Sequence, residues 1–178
     1  MKSYFITDLL VPNVSKYLKE VYKKYSPDFV CYRDKSGNSD FMKKAEIFLQ
    51  TSKEYGIKNI YLNSNFKLAS SLGYDGVHLT SFQIDLIDKV KKIKLKVIVS
   101  THNENEIKRS KEADFITYSP VFKTPNKGVS KGIIDLKEIV LKYKDVKIFA
   151  LGGIISPIHI EQIKSTNAYG FASIRYFQ

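Results

Sequence analysis

The chain has 178 residues, and a hydrophobic fraction of 43% with 26% charged residues matches an ordinary soluble globular protein and excludes a disordered, collagen-like or disulfide-scaffold chain. A single cysteine, Cys31, allows no internal disulfide and fits a cytoplasmic, reducing compartment. No apolar run nears the roughly 20 residues of a membrane helix, and the opening stretch, which ends in Asp8, lacks signal-peptide anatomy. The net charge of +11 rests on 29 Lys+Arg, of which only Arg33, Arg109 and Arg175 are arginines. Base and phosphate forks favour arginine, so scattered lysine predicts no nucleic-acid partner, and the lack of a long apolar run predicts no membrane partner. A locally basic pocket for a phosphorylated small molecule is the reading the motifs favour.

Apolar segments rich in β-branched and aromatic residues recur along the chain. They are Tyr4–Thr7, Phe29–Tyr32, Ile57–Leu62, Gly76–Leu79, Leu95–Ser100, Phe115–Tyr118, Val146–Leu151 and Tyr169–Ile174. Near-continuous apolar runs of this length predict strands buried on both faces of a parallel sheet. Helical stripes alternate with them: Val14, Leu18 and Val21; Phe41, Ala45, Phe48 and Leu49; Ile84, Leu86, Ile87 and Val90; Ile133, Leu136, Ile139, Val140 and Tyr143; and Ile158, His159, Gln162 and Ile163. Helix starts are marked by Ser39-Asp40, by Thr101-His102-Asn103-Glu104 and by Ser156-Pro157. Eight strands in alternation with helices predict one (β/α)₈ TIM barrel over residues 1–178, in a short form without an eighth helix. An open doubly wound sheet is the runner-up, disfavoured because the chain has neither GxGxxG nor a P-loop. The wall left bare by the absent helix is expected to be covered by a partner chain, as in a homodimer, or by Tyr176-Phe177.

In such a barrel the active site lies at the C-terminal ends of the strands. Arg33 and Lys35 follow the second strand and alternate, so both can face one mouth. The loop Phe122-Lys123-Thr124-Pro125-Asn126-Lys127-Gly128 brings hydroxyl, amide and ammonium donors to the same rim. Gly152-Gly153, just before the Ser156-Pro157 helix start, offers backbone N–H groups to an anion.

These residues carry a resemblance. Tyr-Phe-Ile-Thr-Asp at 4–8, Tyr-Arg-Asp-Lys at 32–35, Gly-Tyr-Asp-Gly-Val-His-Leu at 73–79, Val-Ser-Thr-His at 99–102, Pro-Val-Phe-Lys-Thr-Pro-Asn-Lys at 120–127 and Ala-Leu-Gly-Gly-Ile at 150–154 resemble, in order and spacing, the thiamin phosphate synthase/TenI family. The resemblance implies a (β/α)₈ barrel that joins a thiazole phosphate to a pyrimidine methyl diphosphate and releases diphosphate. It implies that Arg33, Lys35 and Lys127 hold the leaving diphosphate, and that Asn63 and Ser100 lie at the pyrimidine. Thr124, Asn126 and the Gly152-Gly153 backbone would cradle the thiazole phosphate. The anion is also expected against the backbone near Ile174-Arg175, where Arg175 replaces a small residue of the family and either adds a charge-assisted bond or points outward over the place of the absent helix. It also implies Mg²⁺ as cofactor.

Departures from the pattern are as informative. The family's Asn-Asp is Asn63-Ser64 here, and Gln83 stands where a second magnesium aspartate is expected, so no metal ligand is assigned. Asp85, two residues on, is expected on a helix face or first turn. The sister branch, the thiazole tautomerases, places a histidine base where this chain has Pro120. The sequence therefore leaves three readings: synthase-type transfer, tautomerisation, or binding of a thiazole or thiamin phosphate without turnover. His78 and His102 are expected to be structural groups at the rim, His159 to lie on the surface, and Tyr32 and Tyr118 to pack in the layers.

Overall fold

The structure is a computed structural model that describes residues 1–8, 13–37 and 39–178. Eight parallel strands pair in sequence order: β1 (Lys2–Ile6), β2 (Phe29–Tyr32), β3 (Ile60–Asn63), β4 (Gly76–Leu79), β5 (Lys96–Thr101), β6 (Phe115–Tyr118), β7 (Ile148–Leu151) and β8 (Gly170–Ser173). The circle closes where β1 pairs with β8, from Lys2 opposite Gly170 to Phe5 opposite Ser173. Among the described residues, seven α-helices cover the outside: α1 (Val14–Tyr25), α2 (Phe41–Glu54), α3 (Phe66–Leu72), α4 (Ile87–Lys92), α5 (Glu104–Arg109), α6 (Gly132–Lys142) and α7 (Pro157–Lys164). This is the (β/α)₈ barrel expected from the alternation of strands and helices. No helix among the described residues is long and apolar enough to cross a membrane.

Alternation along each strand separates two cores. Outward residues such as Phe5, Val30, Leu62 and Val99 pack against the helices, while Tyr4, Phe29, Tyr61, Ile98, Phe115, Phe149 and Ala172 fill the barrel. The inner rings interlock: Phe29 lies edge to face with Phe115 and Phe149, 5.1 Å from each, and Tyr4 lies tilted against Phe149 at 5.3 Å. Gly76 makes room for this filling, because a side chain there would run into the ring of Tyr61 on the next strand.

The lower ends of the strands are stapled by a recurring device. An aspartate just ahead of each of β2, β4 and β6 accepts a backbone N–H from the strand before it. Asp28 takes Ser3 N at 2.9 Å, Asp75 takes Ile60 N at 2.8 Å and Asp114 takes Val97 N at 2.7 Å.

Helix signals act locally as expected, with differences. Asn13 caps α1 by accepting from Lys16 N at 3.0 Å, and Asn103 caps α5 by accepting from Glu106 N at 2.9 Å. Pro157 occupies the first turn of α7, but Ser156 makes no side-chain cap. The stripe from Ile84 to Val90 divides into a 3-10 turn, Ser81–Leu86, followed by α4. The short α3, capped by Asn65, falls in a stretch where no helix is predicted, since only Ala69 of its seven residues is buried.

The wall beside β8 is closed by the 3-10 turn Arg175–Phe177. Phe177 is 2% exposed, with its ring 5.2 Å from Phe5, 5.4 Å from Tyr25 and 6.0 Å from Phe171. Tyr176 packs beside it, 5.5 Å from both Tyr25 and Phe171. The Tyr176-Phe177 tail thus covers this wall, as one of the two sequence expectations has it. Truncating a buried phenylalanine costs about 3–5 kcal/mol. Phe177→Ala should therefore lower the unfolding free energy by that amount, read as a fall in urea midpoint at an unchanged slope, and a loss below about 1 kcal/mol would mean that the plug is dispensable.

Candidate active site at the barrel mouth

At the centre of the mouth lies a polar floor. The hydroxyl of Tyr4 on β1 sits 2.9 Å from His78 Nδ1 on β4, and His78 Nε2 sits 3.0 Å from Ser100 Oγ on β5. Tyr4 and His78 are buried, while Ser100 is half-buried. Desolvation, helped by the charge of Arg33, holds the His78 pKa down at about 3. Burial likewise pushes the Cys31 thiol up to about 12, which makes it inert as a nucleophile.

On the β1–β2 side, Thr7 Oγ1 donates to Arg33 O at 3.0 Å and accepts from Arg33 N at 2.8 Å, which fixes the backbone of the arginine. The guanidinium pairs with Asp8 at 3.0 Å, and Lys35 stands exposed two residues on. The loop after β3 is held by β4. Asn63 Nδ2 and Ser64 N both donate to His78 O, at 3.1 and 2.9 Å, with Ser64 in the left-handed region at φ 62°. Asn63 therefore spends its amide on the strand next to it.

The opposite rim is built from the loops after β6, β7 and β8. An open cavity of about 700 Å³ is lined by Lys123 to Ser130, Ile155 and Arg175. It brings together four of the expected residues, Thr124, Asn126, Lys127 and Arg175. Gly152 and Gly153 adjoin it at φ 98° and 71°. A side chain at Gly153 would meet the Phe122 backbone at 2.6 Å, and one at Gly152 would approach Pro120 and Thr124 Oγ1. The glycine pair thus serves first to let the β6 loop lie on the β7 loop, sealed by Phe122 N donating to Gly152 O at 3.0 Å. The N–H groups of Gly153 and Ile154 make no hydrogen bond to the described residues. Ile174 leads into the tail turn beside them. Strand order sets Arg33 and Lys35, after β2, diametrically opposite Lys127, after β6.

His159 departs from expectation. It is half-buried rather than on the surface, with its ring 4.3 Å from Phe122 and Nδ1 accepting from Ile155 N at 3.3 Å. The apolar face of Phe122 draws it inward. His102 caps the neighbouring rim, where Nδ1 lies 3.1 Å from Ser119 Oγ. Tyr32 and Tyr118 are buried, with hydroxyls on Asp34 and Asp135.

The residues do not fit a protein-held Mg²⁺. At the two places where carboxylates are expected, Gln83 Nε2 donates to Ser64 O at 3.1 Å, while Gln83 Oε1 accepts from Thr80 N and Thr80 Oγ1. Both ends of the amide are spent, so positions 64 and 83 form a neutral latch between the β3 and β4 loops. Asp85 lies on the outside, paired with Arg109 at 2.8 Å. Among the described residues, no cluster of three His, Cys, Asp or Glu side chains is placed to hold a metal.

Sequence reasoning missed the latch and the Tyr4–His78–Ser100 line. Strand parity was the available signal for the latter, since Tyr4, His78 and Ser100 are all inward positions.

A closed parallel barrel with its polar groups gathered at the mouth places the chain in the class of (β/α)₈ barrel proteins. The family described as thiamine monophosphate synthase matches residues 3–177. A thiamine-phosphate synthase of Syntrophomonas wolfei is 29% identical over 96% of this chain and 85% of its own length. Thiamine-phosphate synthase 1 of Streptococcus pneumoniae is 30% identical over 80% of this chain and 72% of its own. The structure of a thiamine phosphate pyrophosphorylase from Pyrococcus furiosus superposes with a TM-score of 0.83 at 24% identity, covering 97% of this chain and 85% of that one. The chain belongs to the thiamine monophosphate synthase family.

The buried imidazole makes one prediction for this site. Unfolded histidine titrates near 6.5 and His78 near 3, so the unfolded state takes up the proton first as pH falls. The stability from keeping His78 neutral is complete above about pH 6.5 and is lost progressively towards pH 3. Between pH 6.5 and 5 the protein should lose roughly 1.5 kcal/mol more than its His78→Gln variant, read as urea midpoints. Equal acid sensitivity of the two proteins would contradict a buried neutral ring.

Proposed function

We propose that this barrel joins a thiazole phosphate to a pyrimidine methyl diphosphate, acting as one domain over residues 1–178. The observation that carries this reading is the pairing of two anion-ready rims across a polar floor. Thr124, Asn126 and Arg175 surround one cavity, with the Gly152-Gly153 turn adjoining it, and Arg33 and Lys35 stand opposite. The thiazole phosphate is assigned to the first rim. The diphosphate is assigned to Arg33 and Lys35, with Lys127 reaching towards it from across the mouth.

In the transfer, the carbon–oxygen bond to the diphosphate breaks as the bond to the thiazole forms, and the electron pair leaves on the diphosphate. Fixed cations stabilise the departing charge without reorganising. Asp8 holds the Arg33 guanidinium in place, and Thr7 holds its backbone. Ser100 and Asn63 face the pyrimidine. With the Ser64–Gln83 latch where carboxylates are expected, the protein supplies the charge stabilisation through these cations alone.

The neutral latch also favours a second reading, in which the same site binds a thiazole or thiamin phosphate without turnover. Tautomerisation would need a base at the position of Pro120, where the chain offers none.

Incubation with both phosphorylated halves, followed by mass detection of thiamin phosphate, separates these readings. Removing one preorganised donor costs about 10²–10³-fold in rate. Slow turnover is therefore expected, raised by Ser64→Asp combined with Gln83→Asp. Brisk Mg²⁺-dependent formation by the unmodified protein would contradict the cation-only site, and no product from either protein would favour binding without turnover. A charge-assisted hydrogen bond lost at the rim weakens binding about tenfold or more. Arg175→Ala should accordingly weaken thiazole phosphate by that factor in calorimetric titration, and unchanged affinity would place the anion elsewhere.

A further inference from the structure

The ladder between β7 and β8 ends with Leu151 opposite Ala172, and one side chain carries the connection beyond that point. Ser173, the last residue of β8, is buried. Its Oγ donates to Ile154 O at 2.8 Å and accepts from Tyr176 N at 3.1 Å. The hydroxyl thus spends its only proton on the first bond and a lone pair on the second. Ile154 directly follows the Gly152-Gly153 turn, and Tyr176 directly follows Arg175 in the tail turn. One hydroxyl therefore ties together two segments that border the same cavity.

Each segment is fixed separately on its far side. Phe122 N donates to Gly152 O at 3.0 Å, and Ile155 N donates to His159 Nδ1 at 3.3 Å, so the corner after β7 is held towards the β6 loop and α7. The tail is held from behind by the buried ring of Phe177 against Phe5. Among the described residues, no other hydrogen bond reaches from residues 154–156 to residues 173–178. Ser173 alone sets the spacing between them. What it spaces is unusual. Arg175 is exposed and lines the cavity, and its guanidinium makes no ion pair or hydrogen bond to the described residues. An arginine left without a partner on an anchored turn, in a cavity it shares with Lys123 and Lys127, has its donors available for an anion from outside.

We propose that Ser173 is a positioning residue for the phosphate of the thiazole substrate: its hydroxyl couples the tail turn that carries Arg175 to the corner after Gly152-Gly153, so that both meet one anion from fixed places. The proposal rests on the assignment of that phosphate to this rim and adds to it the buried group that sets the rim's spacing. Ordering the backbone under Arg175 before the ligand arrives lowers what binding must still order. The consequence is selective. Loss of the hydroxyl weakens the anion at this rim, acts through Arg175 and leaves the opposite rim alone.

The test titrates thiazole phosphate and inorganic diphosphate into the wild type, Ser173→Ala, Arg175→Ala and the double variant, each checked for a folded circular-dichroism spectrum. Ser173→Ala should weaken thiazole phosphate about fivefold or more. It should weaken inorganic diphosphate, assigned to Arg33, Lys35 and Lys127, by less than about twofold. In the Arg175→Ala background the same change should cost thiazole phosphate less than about twofold, because the group it positions is gone. The proposal is overturned if Ser173→Ala binds thiazole phosphate like wild type, if it loses both probes equally, or if its loss is the same with and without Arg175. Should Ser173→Ala fail to fold, Ser173→Thr and Ser173→Val decide, since their side chains share a shape and differ by the hydroxyl. The threonine variant should bind thiazole phosphate about fivefold or more tighter than the valine variant, and equal binding overturns the proposal. A wild type that does not bind thiazole phosphate, or an Arg175→Ala variant that binds it unchanged, would instead overturn the assignment of the anion to this rim.

Discussion

The hydrogen bond between Tyr4 and His78 joins the two halves of the barrel interior. Below it is an apolar plug, in which the Tyr4 ring lies against Phe29, Tyr61 and Phe149. Above it is the polar floor. Leaving a buried hydroxyl unpaired costs stability, and His78 pairs with that of Tyr4. The same contact keeps the imidazole in place and turns its other nitrogen on Ser100. Packing of the core and preparation of the site are thus one arrangement.

Closure makes this possible. Tyr4 and His78 are 74 residues apart and meet because β1 and β4 face across the same barrel. The aspartate staples hold the lower strand ends, and the Phe177 plug seals the wall beside β8. The upper ends are left to the loops. There the strand order sets β2 against β6, so the two basic groups oppose each other across the mouth and the diphosphate is proposed to sit between them. The Ser64–Gln83 latch fixes the β3 and β4 loops with neutral atoms.

The fold was legible because strands buried on both faces write near-continuous apolar runs, and β2, β4 and β6 begin and end where those runs do. β3 begins three residues later than its run, at Ile60, because Ile57 lies in the turn before it. α3 was not legible, since seven residues with a single buried alanine write no stripe. The rim was legible as motifs in order, and the structure gathers Thr124, Asn126, Lys127 and Arg175 around one cavity. What the sequence could not convey were partners chosen by closure: His78 with Tyr4, Gln83 with Ser64, and His159 with Phe122. A glutamine in place of an aspartate reads as a lost ligand, and only the folded loops reveal the hydrogen bond made in its stead.

The claim on which the rest depends is that this mouth holds diphosphate with protein cations and without a protein-held metal. Calorimetric titration of inorganic diphosphate, once in EDTA and once in saturating Mg²⁺, measures it directly. Binding in EDTA within about threefold of that in Mg²⁺ is the expected result, because Arg33, Lys35 and Lys127 carry the charge. Binding that appears only when Mg²⁺ is present would contradict it.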